Sequence, residues 1–161
     1  MTESGGEGVT FSKHGKYWME FDNFIASSPI TYPKPSSPDD RSRAFVRWSG
    51  FPFGFQLTAH GPRHQRSSNK EMMSVELIKD GGTSTSISDE VLGQLDQLRW
   101  LYGGDLKIVD SGAGQFKLDE STEASLTDET DWRRQHLWLL SRVMRLHCVF
   151  GPFLADLKSR G

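Results

Sequence analysis

One cysteine, Cys148, is all the thiol chemistry that this 161-residue chain carries. A lone cysteine excludes an internal disulfide and suits a reducing compartment. No apolar run approaches the roughly 18 residues of a membrane-crossing helix, so no membrane is expected as a partner. An excess of one charge is also missing: 19 Lys and Arg stand against 21 Asp and Glu, a net charge of -2. No overall field therefore favours nucleic acid or an anionic membrane, and any such partner must meet a local patch. Three signatures are absent: the Gly-x-Ser-x-Gly elbow, the phosphate loop, and a strand-linked Gly-x-Gly-x-x-Gly. Serine hydrolases, P-loop nucleotidases and dinucleotide enzymes are thereby disfavoured, and no cofactor is expected. The acidic, Gly-rich opening, Met1 to Gly8, lacks the basic-then-apolar design of a secretory signal, so a cytoplasmic location is expected.

What is present has the length and patterning of one domain. Residues 1–13 lack periodicity and are expected to be disordered, leaving 14–161 as a single α+β domain. Tyr17, Trp18, Phe21, Phe24 and Ile25 form one helical stripe that should end near Ser27, before the proline-rich connector Tyr32 to Pro38. The period then changes to two. Ala44–Trp48, Phe55–Ala59 and Met73–Lys79 read as strands of an antiparallel meander, with an exposed hairpin loop from His60 to Asn69. Ser86 or Ser88 can cap a helix reaching Tyr102, buried through Val91, Leu92, Leu95, Leu98 and Tyr102 and stopped by Gly103 and Gly104. Leu106–Val109 and Gln115–Leu118 read as two more strands, and Asp119–Asp131 as a solvated acidic loop feeding a helix start. Trp132, His136, Leu139, Val143, Leu146, Phe150, Phe153 and Leu157 mark one face of a long final helix, with a kink or break expected at Gly151 and Pro152. The expected fold is α+β, order αβββαββα, with helices covering one face of a mainly antiparallel sheet.

The landmarks Trp18-Met-Glu-Phe21, Lys34-Pro35, Gly54-Phe-Gln-Leu57, Asp131-Trp-Arg-Arg-Gln-His-Leu-Trp-Leu139 and Val149-Phe-Gly-Pro152 together resemble a bacterial domain of unknown function. Members of that family stand alone or follow restriction-endonuclease-like modules. The resemblance spans about residues 17 to 157. It implies association with nuclease, DNA-handling or phage-defence proteins and assigns no catalytic residue.

Three groups of residues carry the functional alternatives. Asp105 and Lys107, with Asp80, Glu76 or Asp110 as a second acid, have the form of a metal-dependent nuclease strand. An acid and a lysine alternating on a solvent face is also ordinary decoration. The segment His60 to Lys70 holds His60, Arg63, His64, Arg66 and Lys70 without an acid, and Arg43, Arg47 and Trp48 could extend it towards nucleic acid. The competing reading is a plain polar loop. His60 and His64 flank Gly-Pro and cannot share a helical face, which argues against zinc. On the final helix, Trp138 stands among Arg134, Arg142 and Arg145 and reads either as an interface anchor or as core. The acidic run 119–131 could meet those arginines from a second copy or a partner. Cys148, beside His147 on one helix, forms no catalytic pair and reads as a buried thiol. The leading expectation is a non-catalytic interaction module binding a protein partner or a second copy, with nucleic-acid binding or a small nuclease as alternatives.

Overall fold

The computed structural model describes residues 13–29, 35, 45–48, 51–64, 69–79, 85–112 and 115–160. The expected disordered start up to residue 12 and most of the proline-rich connector lie outside these residues. Helix α1 (Lys13–Ser27) is followed by strand β1 (Phe45–Trp48), a 3-10 turn at Pro52–Gly54, β2 (Phe55–His64) and β3 (Glu71–Lys79). Helices α2 (Thr85–Gly93) and α3 (Leu95–Tyr102) lead to β4 (Lys107–Gly112), β5 (Gln115–Glu123) and α4 (Trp132–Arg160). The five strands pair in the order β1-β2-β3-β5-β4, antiparallel throughout. This is the expected α+β architecture.

Register separates the two sheet faces. Trp48, Leu57, Leu77, Leu118 and Ile108 align in one cross-strand row, and the next residues along the strands place Arg47, Thr58, Glu76, Asp119 and Lys107 in another. Successive side chains point to opposite faces, so one face is apolar and the other polar. Helices cover the apolar face. Tyr17, Trp18 and Phe21 of α1 are wholly buried, and Phe21 meets Trp48 edge-on with ring centroids 6.3 Å apart. On α4 the expected stripe is buried except at Phe153, whose place in the core Leu154 takes. Aromatic edges concentrate where the two helices meet: Tyr17 contacts Trp18 and Trp132, each at 5.1 Å between centroids, and His136 at 4.4 Å. Burial holds the His136 imidazole down to about pKa 4, even though its hydrogen bond with the Tyr17 backbone opposes that shift.

Five local expectations change. The supposed loop at His60 is strand: β2 runs to His64 and pairs Arg63 with Met72 and His64 with Glu71 across an irregularity between His60 and Arg63. Gly61 and Pro62 sit in that irregularity, the one place where a strand tolerates such residues. The helix expected up to Tyr102 is two helices broken at Gln94, and Leu92 is exposed rather than buried. Gly103 does end α3: it is left-handed (φ 78°) and its N–H donates to the Arg99 carbonyl at 2.9 Å. The acidic loop begins as strand, since β5 continues to Glu123. Finally, α4 continues through Pro152 without a break, because tertiary packing on both sides of the proline outweighs one lost hydrogen bond.

Candidate functional site

The basic segment is not an acid-free patch once folded. His60 is buried, and its Nε2 lies 2.8 Å from Glu76 Oε1, while Lys117 Nζ donates to Glu76 Oε2 at 3.0 Å and stands 3.9 Å from Asp119. Register makes this cluster: Glu76 lies beside Asp119, and His60 sits opposite Ser74, two residues along the same strand. Burial alone would raise the Glu76 pKa, but hydrogen bonds and charge from His60 and Lys117 outweigh it and bring it to about 2. Asp119 is pushed upward, first by burial and then by the Glu76 charge, against the pull of Lys117. Arg63 and His64 are exposed at the end of β2, and Lys70 pairs with Glu123 at 2.8 Å. Arg66, Arg43 and Asp80 lie outside the described residues. Arg47 is exposed on edge strand β1, and Trp48 is buried on the other face.

The Trp138 surface is likewise used by the fold. Trp138 is half-buried under the Arg142 guanidinium, 5.5 Å from its ring, and Arg142 Nε lies 3.1 Å from Glu120 Oε1. Arg134 forks onto Asp131 with bonds of 2.7 and 2.6 Å, and Arg145 Nη1 donates to the Tyr102 carbonyl at 3.2 Å. Each arginine that sequence spacing offers to a partner thus has an acceptor or a counter-charge within the chain. The acidic run is similarly occupied: Glu129 binds Lys13 and Lys16 of α1, the latter at 2.9 Å. Asp105 is exposed in the connection before β4 and Lys107 is exposed at the start of that strand, on either side of buried Leu106. Among the described residues, no group of three or more His, Cys, Asp and Glu side chains is placed to hold a metal ion.

A different surface stands out. Trp100 is 80 % exposed and Leu101 54 %, both on α3. Between α3 and α4 lies a groove of about 460 Å³. Gln94, Gln97, Leu98 and Leu101 line it from the α3 side, and Cys148, Val149, Pro152 and Phe153 from α4. None of these eight side chains is charged. Trp100 does not line the groove: three residues after Gln97 and one before Leu101, it falls beside Gln97 on the side of α3 turned away from the core stripe. Cys148, expected to be buried, is exposed here because helical spacing puts it nearly opposite the Val143, Leu146 and Phe150 stripe. Leu137, 53 % exposed, lies on the same α4 stripe as Cys148, eleven residues away. Sequence spacing held the signal for this surface: Leu95, Leu98 and Tyr102 fill the core stripe of α3, leaving Trp100 and Leu101 with no place in it.

A second, more polar groove of about 410 Å³ lies between α1 and the start of α4, with Phe24, Trp132 and His136 as its aromatic walls. Of its rim charges, Lys16 pairs with Glu129, and the Arg133 guanidinium stands over the Phe24 ring at 5.8 Å. Among the described residues, no helix is long and apolar enough to cross a membrane. Compared with models of protein families, with curated proteins and with solved structures, the chain matches none.

Proposed function

We propose that this chain is a non-catalytic interaction module that binds a partner protein on the α3–α4 face. The observation that carries the reading is the exposure of Trp100 and Leu101 on α3, with Leu101 in the wall of an uncharged groove and Trp100 outside it. Exposed apolar patches bordered by polar surface mark contact sites, and tryptophan is among the residues that most often dominate binding energy. The partner belongs to the nuclease-linked or defence setting that the family resemblance implies. Affinity capture from the native host tests this. Replacing Trp100 and Leu101 together by alanine is expected to abolish recovery of the partner and to lower the affinity of the purified pair at least tenfold. Stability should change by no more than about 0.5 kcal/mol, because both side chains are solvated. Undiminished binding by this double variant would overturn the reading.

One observation favours nucleic acid as a second reading: Arg47, Arg63 and Lys107 are exposed on strands of the sheet. Phosphate contacts of this kind make affinity fall steeply with salt. Binding of single-stranded DNA at low salt, with a salt slope reduced by about one per residue when Arg47 or Arg63 becomes alanine, would favour it. Absence of binding at low salt would remove it.

A further inference from the structure

The size and chemistry of the α3–α4 groove narrow the kind of partner, on the reading that this face binds protein. A tryptophan side chain offers roughly 150–250 Å². With Trp100 four-fifths exposed and Leu101 about half, the two present on the order of 300 Å² together. A stable dimer or domain interface needs about 800 Å² from each side. A second copy or a folded domain would therefore have to draw most of its contact from the polar surface around the groove, whereas a short apolar segment is matched to the groove itself. No charged side chain lines the groove, and Gln94 and Gln97 supply its polar contacts, so an acidic or basic segment would lose hydration there without gaining a counter-charge. The walls are two helices, and α3 is eight residues or about 12 Å long, enough to contact two turns of a third helix. Lining a groove with helices is a recurrent way to hold an amphipathic one.

We infer that the α3–α4 groove takes a short amphipathic helix from the partner protein, seated by an uncharged apolar stripe about two turns long. Leu101, Val149 and Phe153 form the floor, and Trp100, on the outer side of α3 beside Gln97, meets the partner chain flanking that helix. Cys148 lies within the groove and is the chain's only cysteine, so it reports occupancy.

The test selects 15-residue peptides from a random display library against the full chain. Selected peptides are then synthesised and added while N-ethylmaleimide alkylates Cys148. The expected peptides carry apolar residues at helical spacing, slow alkylation at least tenfold at saturation, and bind at least tenfold more weakly to Leu101→Glu. Val109→Glu, an exposed change on β4, should leave their binding unaltered. The inference is overturned if no peptide is selected, if bound peptides leave the alkylation rate unchanged, or if their contacting positions are charged. It is also overturned if protein concentration alone protects Cys148 as a dimer forms, since the occupant is then a second copy. A native partner that loses binding to the Trp100 and Leu101 variant, yet binds only as a folded domain, would refute the helix while leaving the interaction reading intact.

Discussion

Glutamine in place of Glu76 is expected to lower stability by about 3 kcal/mol at pH 7, the scale seen when one member of a buried ion pair is removed. Glu76 is 5 % exposed, and its two carboxylate oxygens are taken separately by His60 and Lys117. An amide can still accept from Lys117 with its one oxygen, but its NH2 group cannot accept from the His60 ring, and no negative charge remains between the two bases. The pH dependence follows from linkage. The Glu76 pKa lies near 2 in the fold against an ordinary 4.5, so between these values the unfolded chain binds more protons. Stability from this group is complete above about pH 4.5 and is lost as pH falls towards 2. His136 adds an earlier limb: its imidazole sits near 4 against an ordinary 6.5, so falling pH across that interval again protonates the unfolded chain first. Each limb amounts to about 3 kcal/mol. Asp119, with a raised pKa, opposes the Glu76 limb and makes it shallower. Urea melts from pH 7 to 2.5 should show stability falling below pH 6.5 in the parent, while Glu76→Gln starts lower, keeps the His136 limb and loses less than the parent below pH 4.5. Parallel curves for the two proteins down to pH 2.5 would refute this role for Glu76.

The elements with strong periodicity were legible before any coordinates. The stripe Tyr17, Trp18, Phe21 and Ile25 and the stripe from Trp132 to Leu157 lie in the core as their spacing requires. Strand lengths were less legible. The segment His60 to His64 holds Gly, Pro and three polar residues, and local chemistry reads it as loop. Only pairing with β3 on the other side makes it strand, and a cross-strand partner 16 residues away leaves no trace in a local window. The same holds for Glu120, which looks like one acid in a solvated run until β5 brings it beneath Tyr102. Helix spacing misleads about interface residues for a related reason. Arginines at helical spacing advertise a binding face, yet Arg134, Arg142 and Arg145 find acceptors or counter-charges in Asp131, Glu120 and the Tyr102 carbonyl. Trp100 carries the opposite lesson: its exposure follows from what the α3 stripe leaves out, which sequence displays by omission.

Glu120 is the group through which the fold sets the face bearing Trp100, and its removal is the second large effect expected. Its side chain, on β5, accepts a 2.6 Å hydrogen bond from the hydroxyl of Tyr102 at the end of α3 and faces the Arg142 guanidinium of α4. Burial, followed by the bond to Glu120, pushes the Tyr102 phenol far above its ordinary pKa, so it remains a donor throughout the working range. Space is tight as well: a Cβ on Gly104 would stand 2.6 Å from Tyr102 Cε2 and 2.8 Å from Glu120 Oε1. Arg145 holds the Tyr102 carbonyl, and Arg99 Nε donates to the Leu106 carbonyl at 2.9 Å, so the last turn of α3 is fixed from three sides. Glu120→Ala leaves a buried hydroxyl without its acceptor and a half-buried guanidinium without its counter-charge, at an expected cost of about 3 kcal/mol. A double-mutant cycle of Tyr102→Phe with Glu120→Gln should give a coupling of about 1.5 kcal/mol, within the range for directly bonded side chains. Coupling below about 0.5 kcal/mol would show that the two groups act independently. Amide exchange separates the anchor from the binding face it supports. In Glu120→Ala, the α3 amides should exchange faster relative to those of β3 and partner affinity should fall with them. Alanine at Trp100 should lower affinity while leaving α3 exchange unchanged, because the proposed partner contact is made by that exposed side chain and Glu120 meets only the fold.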